Sequence, residues 1–274
     1  MGRRDGDEYR MTNDEIARFR ADGWAHLPGL LSADEVREIE HVYSRFLARE
    51  IPVAGRDFCD MSSDYAKPLE EFAIVNIMLP RRYFPGWQDN VYERRAASVA
   101  AQLCGADMEL DYDQLVAKRP RHEDAVFHWH QDLAYWPATR DTRTASLWLA
   151  LDDATLANGC MRFVSGSHRE AELRPHRPML GDRDKSHTLV ADVDEARDRI
   201  QPAEIRRGDA TVHHERTIHG SGGNSTGGWR RAYIVAYRSR ATIDEERARG
   251  FTHSHNDALS VLREVGKSAR IDES

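Results

Sequence analysis

The sequence predicts a mainly β chain with flanking helices: an N-terminal helical part, about residues 12–107, packed outside an eight-strand jelly roll, about residues 108–240. Three observations carry this. Thr12-Asn13-Asp14-Glu15 and Ser32-Ala33-Asp34-Glu35 are two capping boxes, each of which opens a helix. From Met108 to about Ser239 the pattern changes to short β-prone runs broken by Gly, Asn and Asp turns. The 274 residues, 40% hydrophobic, suffice for one sizeable core, with no internal repeat to divide them. A single domain, 1–274, is expected.

The elements follow in order. The first helix ends at Gly23, Trp24–Leu27 reads as a short strand, and Pro28-Gly29 as a turn. The second helix places Val36, Ile39, Val42, Tyr43, Phe46 and Leu47 at helical spacing. Tyr92–Cys104, closed by Gly105, is another helix, and Leu110–Lys118 a strand. Pro52–Pro68 and Arg169–Ile200 fit neither helices nor barrel strands. Long loops in compact domains are usually functional or disordered, and both are expected to be lids over the barrel mouth. Residues after Arg240 show no readable chemistry.

Composition excludes several functions. The net charge of −7 with interspersed signs offers no basic stripe for nucleic acid and no polybasic cluster for anionic lipid. No apolar run approaches the ~20 residues that span a bilayer. The polar opening Met1-Gly2-Arg3-Arg4-Asp5 predicts no secretion signal, and Cys59, Cys104 and Cys160 form no disulfide framework. A cytoplasmic enzyme is the expectation. No oligomeric state is legible.

Chemistry concentrates in Phe127-His128-Trp129-His130-Gln131-Asp132. On a strand, His130 and Asp132 would leave the same face, so imidazole and carboxylate converge. One more His would complete the facial triad of a non-haem Fe(II) oxygenase. His219, in Thr217-Ile218-His219-Gly220-Ser221-Gly222, is a candidate, and Arg230 starts the strand beyond. A guanidinium grips a carboxylate with two charge-assisted hydrogen bonds, which suits a dicarboxylate co-substrate. Spacing alone leaves rivals open: His128 pairs with His130 as a cupin-type HxH, His213 and His214 compete with His219, and Arg231 competes with Arg230.

His130-Gln131-Asp132, His219-Gly220-Ser221 and Arg230, in this order, resemble the iron and 2-oxoglutarate set of the phytanoyl-CoA dioxygenase family. So do Ser146–Thr155, Asn158–His168 and Gly208-Asp209, and the resemblance covers about residues 12–240. It implies a cupin-like double-stranded β-helix with His130, Asp132 and His219 as metal ligands and Arg230 and Ser221 holding the far carboxylate of 2-oxoglutarate. It further implies Trp148 as a wall beside 2-oxoglutarate. By similarity to the ectoine hydroxylases within the family, it adds Lys118 and Gln114 on the co-substrate and Trp136 on the substrate. The implied activity uses Fe(II), 2-oxoglutarate and O2 to hydroxylate an unactivated C–H, releasing succinate and CO2. Desaturation, cyclisation and epimerisation are further outcomes, while Asp132 argues against a halogenase. The expected substrate is a small secondary metabolite. An acyl-CoA or carrier-bound acyl group is the alternative, with Arg140, Arg143, Arg169, Arg174 and Arg177 as its candidate basic patch. Rivals of another class are a cupin-type metalloenzyme without 2-oxoglutarate and a non-catalytic ligand-binding jelly roll.

Overall fold

The structure, a computed structural model, describes residues 3–257. Both capping boxes close as read. Thr12 Oγ1 accepts from Glu15 N at 3.2 Å while Glu15 accepts from Thr12 N at 2.9 Å, and Ser32 and Glu35 repeat this at 3.3 and 2.7 Å. They start α1 (Asn13–Asp22) and α2 (Ala33–Leu47). Gly23, at φ 80°, ends α1 in the left-handed region that glycine enters without a steric penalty. Two further helices, α3 (Pro80–Tyr83) and α4 (Val91–Cys104), precede the barrel, and α5 (Arg240–Ala248) follows it.

The strands are β1 (Arg4–Asp5), β2 (Glu8–Tyr9), β3 (Trp24–Leu27), β4 (Phe58–Asp60), β5 (Ile74–Met78), β6 (Met108–Lys118), β7 (Phe127–His130), β8 (Thr144–Ala150), β9 (Met161–Val164), β10 (His176–Pro178), β11 (Leu189–Ala191), β12 (Ile200–Ala203), β13 (Ala210–His213), β14 (His219–Ser221) and β15 (Arg230–Ser239). Seven form one sheet in the order β3-β13-β8-β15-β6-β5-β4, and four form the other, β12-β9-β14-β7. Without β3, β4 and β5 this leaves two four-stranded antiparallel sheets between which the chain alternates, the predicted eight-strand jelly roll. Strands β3, β4 and β5 come from the N-terminal part, which is thus not helical alone, and extend the larger sheet. Pro52–Pro68 therefore contains a sheet-edge strand, and Arg169–Ile200 contains the β10–β11 hairpin. Both pairings join residues too far apart in sequence, or too few, to leave a periodic signal.

Alternation along β15 divides the interior. Tyr233, Val235 and Tyr237 enter the main core with α2 and α4, whose Val36, Ile39, Tyr43, Phe46, Tyr92 and Val99 are buried there. Arg230, Ile234 and Ala236 face the other way, into a cavity between the two sheets. The helices thus seal one face of the large sheet and leave the other for chemistry.

Candidate active site

Strand β7 ends at His130, two residues short of the strand expected through Asp132, which opens a 3-10 turn. Gln131 between them keeps extended angles, φ −118° and ψ 132°, so the two side chains still leave one face. The buried Gln131 is itself held from both ends. Its Nε2 donates to Arg216 O at 2.6 Å and its Oε1 accepts from Arg174 N at 3.0 Å. Strand β14 pairs with β7 and sets His219 opposite His130.

Three ligand atoms meet. His130 Nε2 lies 3.6 Å and His219 Nε2 3.5 Å from Asp132 Oδ1, and the group forms a cluster within 4.8 Å. His130 Nδ1 is 2.7 Å from His128 O and His219 Nδ1 2.9 Å from Thr217 O. A carbonyl oxygen only accepts, so each Nδ1 carries the proton and each Nε2 keeps its lone pair for a metal. The other carboxylate oxygen, Asp132 Oδ2, accepts from Ser146 Oγ and from His213 Nε2, each at 3.2 Å. Burial alone would raise the Asp132 carboxyl, but His219, His130 and His213 outweigh it and hold it well below the usual range. Burial, then the neighbouring His130, pushes His219 well down. Two neutral imidazoles and one carboxylate are the donor set that binds Fe(II) facially.

The rival histidines fall elsewhere. His213 bonds Asp132 from outside the cluster, and His214 Nδ1 accepts from Arg216 N at 3.1 Å. Neither His128 nor His214 joins the cluster. His128→Ala should leave Fe(II) affinity within about twofold, because the substitution keeps the backbone oxygen that bonds His130 Nδ1; loss of iron binding in an anaerobic titration would place His128 on the metal instead.

Arg230 is 1% exposed, with its guanidinium 5.1 Å from the Trp148 ring centroid. Its Nε and Nη1 are buried without a hydrogen-bond partner among the described residues. Burial pushes its pKa down to about 10. An uncompensated buried cation is costly, and this one lines the cavity that holds the triad, where a carboxylate would satisfy it. Arg231 instead turns outward to Asp152, 2.7 Å away, and to Glu40. These residues fit 2-oxoglutarate: three oxygen- and nitrogen-donor ligands for a metal and, in the same cavity, a free fork for the far carboxylate.

The lesser candidates separate. Ser221, Trp148, Gln114 and Trp136 all line the inner cavity, whose empty volume is about 560 Å³. Lys118 does not. It pairs in register with Arg230, and its Nζ donates to Ser221 Oγ at 2.6 Å and to Ser221 O and Gly222 O. Burial and Arg230 push the ammonium well down. Its geometry is that of a residue that orients Ser221.

An outer chamber of about 510 Å³ shares Gln114, His130, Asp132 and Trp136 with the inner cavity. Met61, from Pro52–Pro68, and His187, from Arg169–Ile200, reach its wall, so both segments expected as lids lie over the site. The His187 ring stacks between Tyr135 and His255, at 5.0 and 3.7 Å. Phe251, His253 and His255, beyond α5, complete the wall. Sequence reasoning missed them, since five residues are too few to mark an element.

Known proteins agree with this geometry. The model of the family described as phytanoyl-CoA dioxygenase matches residues 19–232. A probable phytanoyl-CoA dioxygenase of Caenorhabditis elegans is 28% identical over 194 residues, 69% of this chain and 59% of that protein; the match thus spans under two thirds of that relative's length. EvdO2 from Micromonospora carbonacea var. aurantiaca, solved in complex with 2-oxoglutarate, is 27% identical with a TM-score of 0.66, covering 84% of this chain and 91% of that one. The epimerase SnoN, solved with Fe3+, alpha ketoglutarate and nogalamycin RO, is 27% identical with a TM-score of 0.64, covering 82% of each chain. The family match takes in every strand that carries the triad and ends two residues past Arg230; the chain belongs to the phytanoyl-CoA dioxygenase family, with Fe(II) as cofactor and 2-oxoglutarate as co-substrate.

Proposed function

We propose that this protein uses Fe(II), 2-oxoglutarate and O2 to oxidise an unactivated C–H of a small organic molecule, a secondary metabolite, with hydroxylation as the simplest outcome. The observation that carries the reading is the buried, unpartnered Arg230 in the same cavity as the His130–Asp132–His219 cluster. In balance, R–H, O2 and 2-oxoglutarate give R–OH, succinate and CO2. The iron supplies the oxidising chemistry when bound; the protein binds, orients and excludes water. His130, Asp132 and His219 hold the metal on one face. Ser146 and His213 fix the Asp132 carboxylate so that Oδ1 faces both ligand imidazoles. Arg230 and Ser221 hold the far carboxylate of 2-oxoglutarate, Lys118 holds Ser221, and Trp148 stacks behind the guanidinium.

The outer chamber is the substrate's place, walled by Tyr112, Tyr135, Trp136, Met61, Met78 and Phe251. An acyl-CoA is less well supported, because three of the five arginines proposed for its phosphates are engaged in ion pairs. Arg143 pairs with Asp107 and Asp141, Arg174 with Glu170 and Asp198, and Arg177 with Asp192. The outcome other than hydroxylation is open to the same site, since the placement of the substrate C–H decides it.

The test is an anaerobic titration with Fe(II) and then 2-oxoglutarate. A visible metal-to-ligand charge-transfer band is expected. A folded sample without one would favour a cupin-type enzyme independent of 2-oxoglutarate, or a binding module.

A further inference from the structure

Past α5 the chain returns over the barrel mouth as a strap, Phe251–His255, outside the residues that match the family. Its two histidines are 4% and 1% exposed, and both line the outer chamber. His253 Nε2 lies 2.8 Å from Asp111 Oδ2 and 3.4 Å from Glu246 Oε2. Carboxylates accept, so Nε2 carries a proton. Nδ1 has no partner among the described residues. Burial disfavours a charged ring, but Asp111 and Glu246 prevail and raise its pKa, which favours a second proton, on Nδ1. His255 presents Nδ1 to Tyr65 OH at 3.3 Å and to Cys59 Sγ at 3.8 Å. Where Tyr65 donates to Nδ1, the proton of a neutral ring sits on Nε2. That Nε2 is likewise buried and unpartnered.

The strap is held there at a cost. His253 sits at φ 63°, left-handed for a side chain other than glycine. The buried Asp57 carboxylate accepts from Ser254 Oγ at 2.8 and 2.9 Å and from His255 N at 2.8 Å, pinning the turn. Backbone strain enforced beside a cavity is a mark of function. The cluster Asp111–Glu246–His253 has the composition of a metal site, yet Arg238 already pairs with Glu246 and Arg247 with Asp111, so the charges there are answered within the protein. What is left without a hydrogen-bond partner among the described residues are two buried ring nitrogens, on side chains that line the chamber. Around them lie rings: Tyr112 5.1 Å and Trp136 5.5 Å from His253, and His187 on His255. Among the described residues neither Lys nor Arg, apart from Arg230, lines either cavity.

We propose that His253 and His255 are substrate-recognising residues, donating hydrogen bonds to acceptor oxygens, carboxylate or carbonyl, on a compact substrate whose body packs against Trp136 and Tyr112. This rests on the dioxygenase reading of the same site.

Three probes of nearly one shape test it: phenylacetate, phenylacetone and isobutylbenzene, titrated into the Fe(II)- and 2-oxoglutarate-loaded full chain without oxygen. The two oxygen-bearing probes should bind at least about tenfold more tightly than the hydrocarbon, the difference one hydrogen bond to a charged donor makes. The preference should fall below about threefold in His255→Phe, which keeps the stack on His187, and in His253→Gln. A stronger loss for phenylacetate than for phenylacetone would identify a carboxylate; equal losses, a carbonyl. Should His253→Gln prove unfolded by its melt, His255→Phe decides. Wild-type protein without the preference, or a folded His255→Phe that keeps it, overturns the proposal. Loss of the 2-oxoglutarate charge-transfer band in the wild type would instead refute the dioxygenase reading, while an intact band without acceptor preference refutes recognition by the strap alone.

Discussion

Replacing Asp132 with alanine is expected to abolish Fe(II) binding and, with it, the charge-transfer band. Outer-shell changes at metal sites cost roughly 10–100-fold in affinity; removal of a ligand should cost more. Asp132 is also the only carboxylate in the cluster, so its loss takes away the negative charge that balances the metal. A second cost falls on the surroundings, because Ser146 Oγ and His213 Nε2 both lose their acceptor. The readouts are an anaerobic Fe(II) titration and circular dichroism to confirm folding. Iron retained at wild-type affinity would move the site away from this cluster.

Arg230→Ala should separate affinity from stability. With the charge-assisted pair gone, 2-oxoglutarate binding is expected to weaken about 10- to 100-fold, the effect of roughly 1.5–3 kcal/mol for hydrogen bonds to a charged group. Iron affinity without 2-oxoglutarate should hold, because Arg230 makes no contact with the triad's hydrogen bonds. The apoprotein should melt no lower than the wild type, since the variant removes a buried guanidinium whose Nε and Nη1 have no partner. Tight 2-oxoglutarate binding in this variant, or a large drop in melting temperature, would make Arg230 a structural residue.

Much of this site was legible because its chemistry is local. His130 and Asp132 are two residues apart, and one register, β14 on β7, brings in His219. Strand alternation allowed only one of Arg230 and Arg231 to face inward, the distance from His219 in the family's pattern favoured Arg230, and the structure turns Arg231 to Asp152 and Glu40. The capping boxes needed only four residues each. Lys118 was readable as near the site but not in its direction. Its hold on Ser221 depends on a loop 103 residues away in sequence, where Gly159 leaves room that a Cβ would take, 2.3 Å from Gly222 O and 2.9 Å from Lys118 Nζ. The strap was illegible for the same reason. Nothing in Phe251-Thr252-His253-Ser254-His255 has the length or period of an element, and Asp57, which fixes it, lies 197 residues from Ser254.

The Tyr135–His187–His255 stack joins three separate parts of the chain: the turn after the metal-binding strand, the charged insertion, and the strap. All three stand outside the eight strands, and His187 and His255 come from segments that hold no member of the metal cluster. Part of the proposed substrate wall is therefore encoded apart from the metal cluster, in segments that mutation can change without touching His130, Asp132 or His219.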